Sequence, residues 1–155
     1  MVDKIKVAVA SRDDRNFLII ARTDARTTLG LDEALRRADA YAKAGADILF
    51  VESPESIEEM RTIGRTFDRP LVANMVEGGR TPVADRMTLQ ELGYSIAIYP
   101  AFGFLAAGDA LRSSYSYLKV HGSSVGANVP LYKFSEFSEL MGFRAVAEFD
   151  ETYRK

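Results

Sequence analysis

The sequence predicts an α/β fold built from βα units, in the pattern of a partial (β/α)8 barrel of TIM type. Three observations carry that expectation. Four short, continuous apolar runs recur along the chain, at residues 17–21, 47–51, 70–73 and 94–98. Runs of this kind suit strands of a parallel sheet buried on both faces. Helix-like sequence separates them, as successive βα units require. Each run also stops abruptly at polar or aromatic residues: Arg22 and Asp24, Glu52, Asn74, then Tyr99. Right-handed crossovers leave two architectures, an open doubly wound sheet or a barrel. Converging polar strand ends favour the barrel, whose active sites form at that rim. A doubly wound nucleotide binder would open on a Gly-rich phosphate loop, and no GxGxxG motif occurs. About four of the eight barrel units are represented.

The elements follow in order. Asp3 to Ser11 is helix-like, with Ile5, Val7, Ala8 and Val9 apolar. The first strand is expected over Phe17–Ala21. Leu31 to Gly45 reads as an amphipathic helix, with Asp32 and Glu33 in its first turn and Gly45 just past its end. Asp47–Val51 is the second strand. Ser56-Ile57-Glu58-Glu59 matches a capping box and opens a helix to about Phe67. Pro70–Ala73 is the third strand, followed by the turn Glu77-Gly78-Gly79-Arg80. Thr88-Leu89-Gln90-Glu91 is a second capping-box pattern, closed by Gly93. Tyr94–Ile98 is the fourth strand. Helix-like sequence then fills Phe104 to His121 and resumes at Phe134. The expected division is therefore 1–121 as barrel units, 122–133 as a linker and 134–155 as a C-terminal helical region.

Composition narrows the function classes. The chain has 155 residues, 47% hydrophobic and 27% charged, with a formal net charge of -2. That balance offers no electrostatic reason to expect nucleic acid or an anionic membrane as partner. There are no cysteines, which removes disulfides, thiolate metal sites and a thiol nucleophile. No apolar run approaches the roughly 18 residues of a membrane span, and the N-terminus lacks the apolar core of a signal peptide. A cytoplasmic protein is expected.

Several segments, taken together, resemble the isocitrate lyase / phosphoenolpyruvate mutase superfamily. Ile20-Ala21-Arg22-Thr23-Asp24-Ala25 is similar to its IARTDA strand end, and Gly45-Ala46-Asp47 through Phe50-Val51-Glu52 to its GAD...FVE segment. Asn74 through Pro82 resembles the NMxEGGxTP loop. Leu92-Gly93-Tyr94 through Tyr99-Pro100 resembles LGY...YP, and Phe134 through Leu140 resembles FxEFNEL. The resemblance covers nearly the whole chain. It implies the C-terminal half of a (β/α)8 barrel. Members of the superfamily carry in their first half the aspartates that hold Mg²⁺ and a loop with the catalytic cysteine. Mg²⁺ is therefore the implied cofactor, with no direct ligand in this chain, and the chain alone is expected not to turn over substrate.

The resemblance implies catalytic roles for Arg22 and Glu52. Arg22 would clamp a substrate carboxylate, since a guanidinium matches it in bidentate geometry. Its structural alternative is an internal salt bridge to Asp24 or Glu52. Glu52 would orient Arg22, bond substrate, or organise water around the metal. Asn74 would donate its amide N–H to substrate, with Met75 and Val76 lending backbone groups. The alternative for Asn74 is a turn residue bonding its own backbone. Asp24 is as well explained by capping as by catalysis. Glu58, Glu59, Asp150 and Glu151 read as solvated or capping acids, and His121 as helix-end packing.

The reaction implied is cleavage of a C–C bond in a small 2-hydroxy dicarboxylate, of 2-alkylmalate or methylisocitrate type, through an enolate. Alternatives are a carboxyphosphonoenolpyruvate mutase-like activity, oxaloacetate decarboxylation, or a non-catalytic half-barrel that needs a partner chain. Methylisocitrate lyases carry a further arginine where this chain has Leu105, which points to the smaller substrate. Members of the superfamily also exchange their C-terminal helices within dimers that pair into tetramers. The expected partners are thus further copies of this chain, with 122–130 as a hinge, or a separate N-terminal half.

Overall fold

The computed structural model describes residues 1–154. These divide into two compact units, 1–105 and 106 onward, and all four strands lie in the first. In chain order that unit holds α1 (Val2–Ser11), β1 (Ile20–Thr23), α2 (Ala25–Leu29), α3 (Leu31–Lys43), β2 (Ile48–Val51), α4 (Ile57–Thr66), β3 (Val72–Asn74), α5 (Arg86–Glu91) and β4 (Ile96–Ile98). The unit boundary falls inside α6 (Phe102–His121). The second unit continues with α7 (Phe134–Leu140) and α8 (Phe143–Tyr153), separated at Gly142 in the left-handed region (φ 83°). Among the described residues no helix is long and apolar enough to cross a membrane.

The strands pair in parallel and in chain order. Ile20 lies opposite Ile48 and Thr23 opposite Val51; Val72 lies opposite Ile96 and Asn74 opposite Ile98. A single parallel bridge from Leu49 to Leu71 joins the two pairs, with the Leu49 N–H donating to Pro70 O at 3.0 Å. The resulting order, β1-β2-β3-β4, contains none of the reversal that creates a switch point in a doubly wound sheet.

The period of two along each strand sorts side chains onto two faces. Ala21, Leu49, Val51 and Ala73 enter the main core with Ala34, Ala38, Tyr41, Met60, Ile63, Leu89 and Leu92 from the helices. On the opposite face Ile48, Phe50 and Val72 form a small separate cluster. That face also carries Ile20, Ile96 and Ile98, which remain 53%, 36% and 39% exposed. Arg22 and Asn74 continue it at the strand ends.

Several element boundaries differ from the sequence expectation, with β3 starting at Val72 rather than Pro70 and β4 at Ile96 rather than Tyr94; two further differences have a visible cause. The first strand begins at Ile20 rather than Phe17, and Phe17 and Leu18 are exposed. Asp47 is the reason. Its carboxylate accepts the Ile19 N–H at 2.8 Å and the Arg12 guanidinium at 2.6 Å. The Ile19 N–H is thus taken by a side chain, while Ile19 O still accepts the Asp47 and Ile48 N–H groups at 3.0 and 3.2 Å, so the regular ladder starts at Ile20. The second difference is the start of α5. Its N-cap is Asp85, which accepts from the Met87 and Thr88 N–H groups, so Thr88 lies inside the helix. Ser56 does cap α4, accepting the Glu59 N–H at 3.1 Å.

One close approach locks α4 to the α5–β4 turn. A Cβ on Gly64 would meet Leu92 O at 1.7 Å, and Gly93 opposite it has φ +92°. Only glycine fits that contact.

Candidate active site at the strand ends

Three of the side chains singled out from the sequence meet where β1, β2 and β3 end. Arg22 is the third residue of β1, Glu52 follows β2 directly, and Asn74 closes β3. By register Arg22 is level with Phe50, two residues before Glu52, and the Leu49–Leu71 bridge sets Asn74 level with Glu52, so all three lie on one face near the strand ends. The Asn74 Nδ2 donates to the Glu52 carboxylate, 3.2 Å from Oε1 and 3.4 Å from Oε2. Arg22 Nη2 lies 3.5 Å from Glu52 Oε2. The guanidinium also stands over the Phe50 ring, 4.9 Å from its centroid, a cation–π arrangement that restricts where it can point.

Asp24 takes the other side of Arg22. Its Oδ1 accepts from Nη2 at 2.6 Å and from Nε at 3.1 Å, while Oδ2 lies 3.2 Å from Nε. This hydrogen bonding, ahead of the nearby Glu52 charge, raises the Arg22 pKa further above its ordinary value. Asp24 occupies the N-cap position of α2 yet makes no side-chain cap bond. The Ala25 N–H is met by Thr23 Oγ1 instead, at 3.3 Å.

Met75 and Val76, expected to lend backbone groups to the site, have the Met75 N–H and the Val76 carbonyl engaged within the chain. The Met75 side chain is fully buried. Its N–H continues the sheet by donating to Ile98 O at 2.9 Å, and its sulfur lies 3.4 Å from the Ala84 N–H. The Val76 carbonyl accepts from the Gly79 N–H at 2.9 Å and so closes the Glu77-Gly78 turn. Asn74 Oδ1 and Glu77 Oε2 are buried in this stretch without a hydrogen-bond partner.

Two features of the rim had no sequence signal strong enough to single them out. Ser53 is the one non-glycine residue with positive φ among the described residues, at 58°, directly after Glu52. Left-handed backbone at a non-glycine residue is uncommon and clusters at functional sites. Its Oγ lies 3.4 Å from Glu52 Oε1. Beside the site, Arg26 bonds Glu59 at 2.6 and 2.9 Å and Glu55 at 2.6 Å. This ties α2 to the start of α4, and gives Glu59 a partner beyond the cap. A groove of about 600 Å³ beside β4, lined by Leu89, Tyr94, Ile96 and Tyr99 among others, includes none of Arg22, Glu52 and Asn74.

The profile of the phosphoenolpyruvate phosphomutase family matches residues 1–118, the stretch that carries all of these side chains. The chain belongs to the phosphoenolpyruvate phosphomutase family. Within it, the chain is 48% identical over 153 residues to the 2,3-dimethylmalate lyase of Eubacterium barkeri, covering 99% of this chain and 53% of that protein. Its fold is similar to the crystal structure of a 2,3-dimethylmalate lyase, described as a PEP mutase/isocitrate lyase superfamily member. That match has a TM-score of 0.85 at 30% identity and covers 97% of this chain and 54% of that one. A family relative complexed with oxalate and Mg²⁺, phosphonopyruvate hydrolase, matches with a TM-score of 0.85 at 30% identity over 99% of this chain and 55% of that one. The chain thus spans about half the length of the family relatives it matches.

The side chains of this family member do not by themselves suit Mg²⁺. Among the described residues no three carboxylate or imidazole groups converge as metal ligands. Both oxygens of Glu52 are engaged by Asn74 and Arg22. Mg²⁺ prefers several oxygen ligands in near-octahedral geometry.

Proposed function

We propose that this chain is the C-terminal half of a (β/α)8-barrel lyase and that Arg22, Glu52 and Asn74 form one side of its substrate site. The completed enzyme cleaves a C–C bond in a small 2-hydroxy dicarboxylate of 2-alkylmalate type. The observation that carries this reading is the meeting of those three side chains at the C-terminal ends of adjacent parallel strands. In barrels that rim is where groups from different strands converge on substrate.

In this reading Arg22 receives a substrate carboxylate in bidentate fashion. Glu52 holds both the guanidinium and the Asn74 amide in register, and accepts the hydrogen bond of the substrate hydroxyl. Asn74 fixes Glu52, and Met75 and Val76 lend backbone groups beside it. Charge supports an incomplete site. Arg22 stands between Asp24 and Glu52, so the cluster is net negative and would repel a dianion. The balancing positive charge belongs to the other half of the barrel, which in this reading supplies the Mg²⁺ ligands. Leu105 in place of an arginine favours a dicarboxylate over a tricarboxylate.

The same reading accounts for the C-terminal helices. Among the described residues α6, α7 and α8 bury none of their side chains, and Phe102, Leu111, Phe143 and Phe149 are among the exposed ones. Packing against a second copy, with residues 122–130 as hinge, would cover them. A cytoplasmic location fits a metabolic enzyme of this kind.

The test supplies four preceding βα units, fused ahead of Met1 or co-expressed, and follows cleavage spectroscopically. Mg²⁺-dependent cleavage of 2,3-dimethylmalate, faster than that of methylisocitrate and lost in Arg22→Ala, is expected. Faster cleavage of methylisocitrate would overturn the substrate assignment. A folded, completed barrel with no lyase activity would favour mutase, decarboxylase or non-catalytic alternatives.

A further inference from the structure

We infer that Asp24 is a built-in competitor for the substrate carboxylate: it occupies the Nε–Nη2 edge of Arg22 and must be displaced when a carboxylate ligand binds there. This rests on the reading of Arg22 as the carboxylate clamp and names a residue that sets the strength of that clamp.

Four observations support it. Asp24 engages Arg22 through Nε and Nη2 together, with contacts of 2.6 to 3.2 Å. That two-point edge is the one an external carboxylate would use for a parallel pair of hydrogen bonds. Phe50, with its ring centroid 4.9 Å from the guanidinium carbon, and Glu52, 3.5 Å from Nη2, limit how far the guanidinium can swing away from this edge. The contact is also open to arriving ligand: the Arg22 and Asp24 side chains are 47% and 65% exposed. Finally, Asp24 is at an N-cap position whose usual side-chain bond it does not make. Aspartate there ordinarily accepts a first-turn N–H. No cap bond therefore holds Asp24, and once displaced from Arg22 its exposed carboxylate returns to water.

Removing the Asp24 charge should therefore strengthen carboxylate binding. An exposed ion pair is a weak competitor, so the gain is modest. The probe is oxalate, titrated into the 155-residue chain while the backbone amide resonances of Thr23, Glu52 and Asn74, present in every variant, are followed by NMR, which reports weak binding. Asp24→Asn keeps the size and capping ability of the side chain and removes its charge. Oxalate affinity should rise about threefold to tenfold in Asp24→Asn. Asp24→Ser serves as a second variant, and circular dichroism checks that both fold. The gain should vanish when Arg22→Ala is combined with Asp24→Asn, which a general structural effect of Asp24 would not produce.

Unchanged or weaker oxalate binding in both Asp24 variants, with binding lost in Arg22→Ala, would overturn the competitor role and leave the Arg22 assignment standing. Oxalate binding that survives Arg22→Ala would overturn the Arg22 assignment and the inference with it. Should the unsubstituted chain show no binding, either Asp24 variant must bring it into range; failure of both overturns the competitor role.

Discussion

Asn74 turns its amide Nδ2 toward both carboxylate oxygens of Glu52, at 3.2 and 3.4 Å, and leaves its own Oδ1 buried without a partner. An ionised carboxylate only accepts hydrogen bonds, so it dictates which end of the amide faces it. One donor group thus fixes Glu52, which in turn stands beside Arg22. Replacing Asn74 with aspartate would set two carboxylates against each other across a partly buried gap. Asn74→Asp should lower stability at neutral pH by about 1–3 kcal/mol, read from chemical denaturation. An unchanged midpoint would mean that the amide contact contributes nothing.

Gly64 tests the packing that carries β4. An added methyl group would sit 1.7 Å from the Leu92 carbonyl oxygen, and backbone on both sides must move to admit it. Gly64→Ala should cost about 3 kcal/mol or more, at the upper end of overpacking effects. Retention of the wild-type melting temperature would show that α4 can shift freely from the α5–β4 turn.

The Asp47 carboxylate gives a pH signature. Its pKa lies below the ordinary aspartate value of 3.8, first because it accepts the Ile19 N–H and then because Arg12 bonds it. A carboxylate with a depressed folded-state pKa stabilises the fold above its unfolded pKa, and that stabilisation fades as pH falls through the lower, folded-state value. Asp47→Asn should therefore cost about 1 kcal/mol at pH 7, modest because the pair keeps some solvent contact. The two proteins should converge in stability as pH falls below the ordinary aspartate value and through the lower folded-state one. A constant difference across the range from pH 7 to pH 2.5 would assign the effect to packing instead.

Capping provides a comparison between neighbours. Asp85 receives two backbone N–H groups and the Thr88 hydroxyl, whereas Thr88 caps nothing. Asp85→Ala should lower the melting temperature more than Thr88→Ala does. The reverse order would put the start of α5 at Thr88.

Much of this molecule was legible in one dimension. Continuous apolar runs between amphipathic helices determine parallel βα units, because a strand covered on both faces cannot alternate polar and apolar residues. The polar residues that end those runs, Arg22, Glu52 and Asn74, follow buried strands and so emerge at one rim, and the family resemblance implied their roles there. Ser56 was readable as a cap from its spacing to Glu59. Other features depended on which groups meet in space. Asp47 delays the first strand to Ile20 through bonds to Ile19 and Arg12, the latter 35 residues away in sequence. Asp85 caps α5 in place of the Thr88 pattern read from the sequence, because its carboxylate meets the Met87 and Thr88 N–H groups. The partner of Arg22 was open between Asp24 and Glu52, since spacing permits either. The tertiary arrangement gives it both, with Asp24 on the two-point edge and Glu52 beyond it. Local periodicity determines elements because each residue's burial depends on its own side of a strand or helix. The charge order of a site depends on distances between elements, which only the packed chain decides.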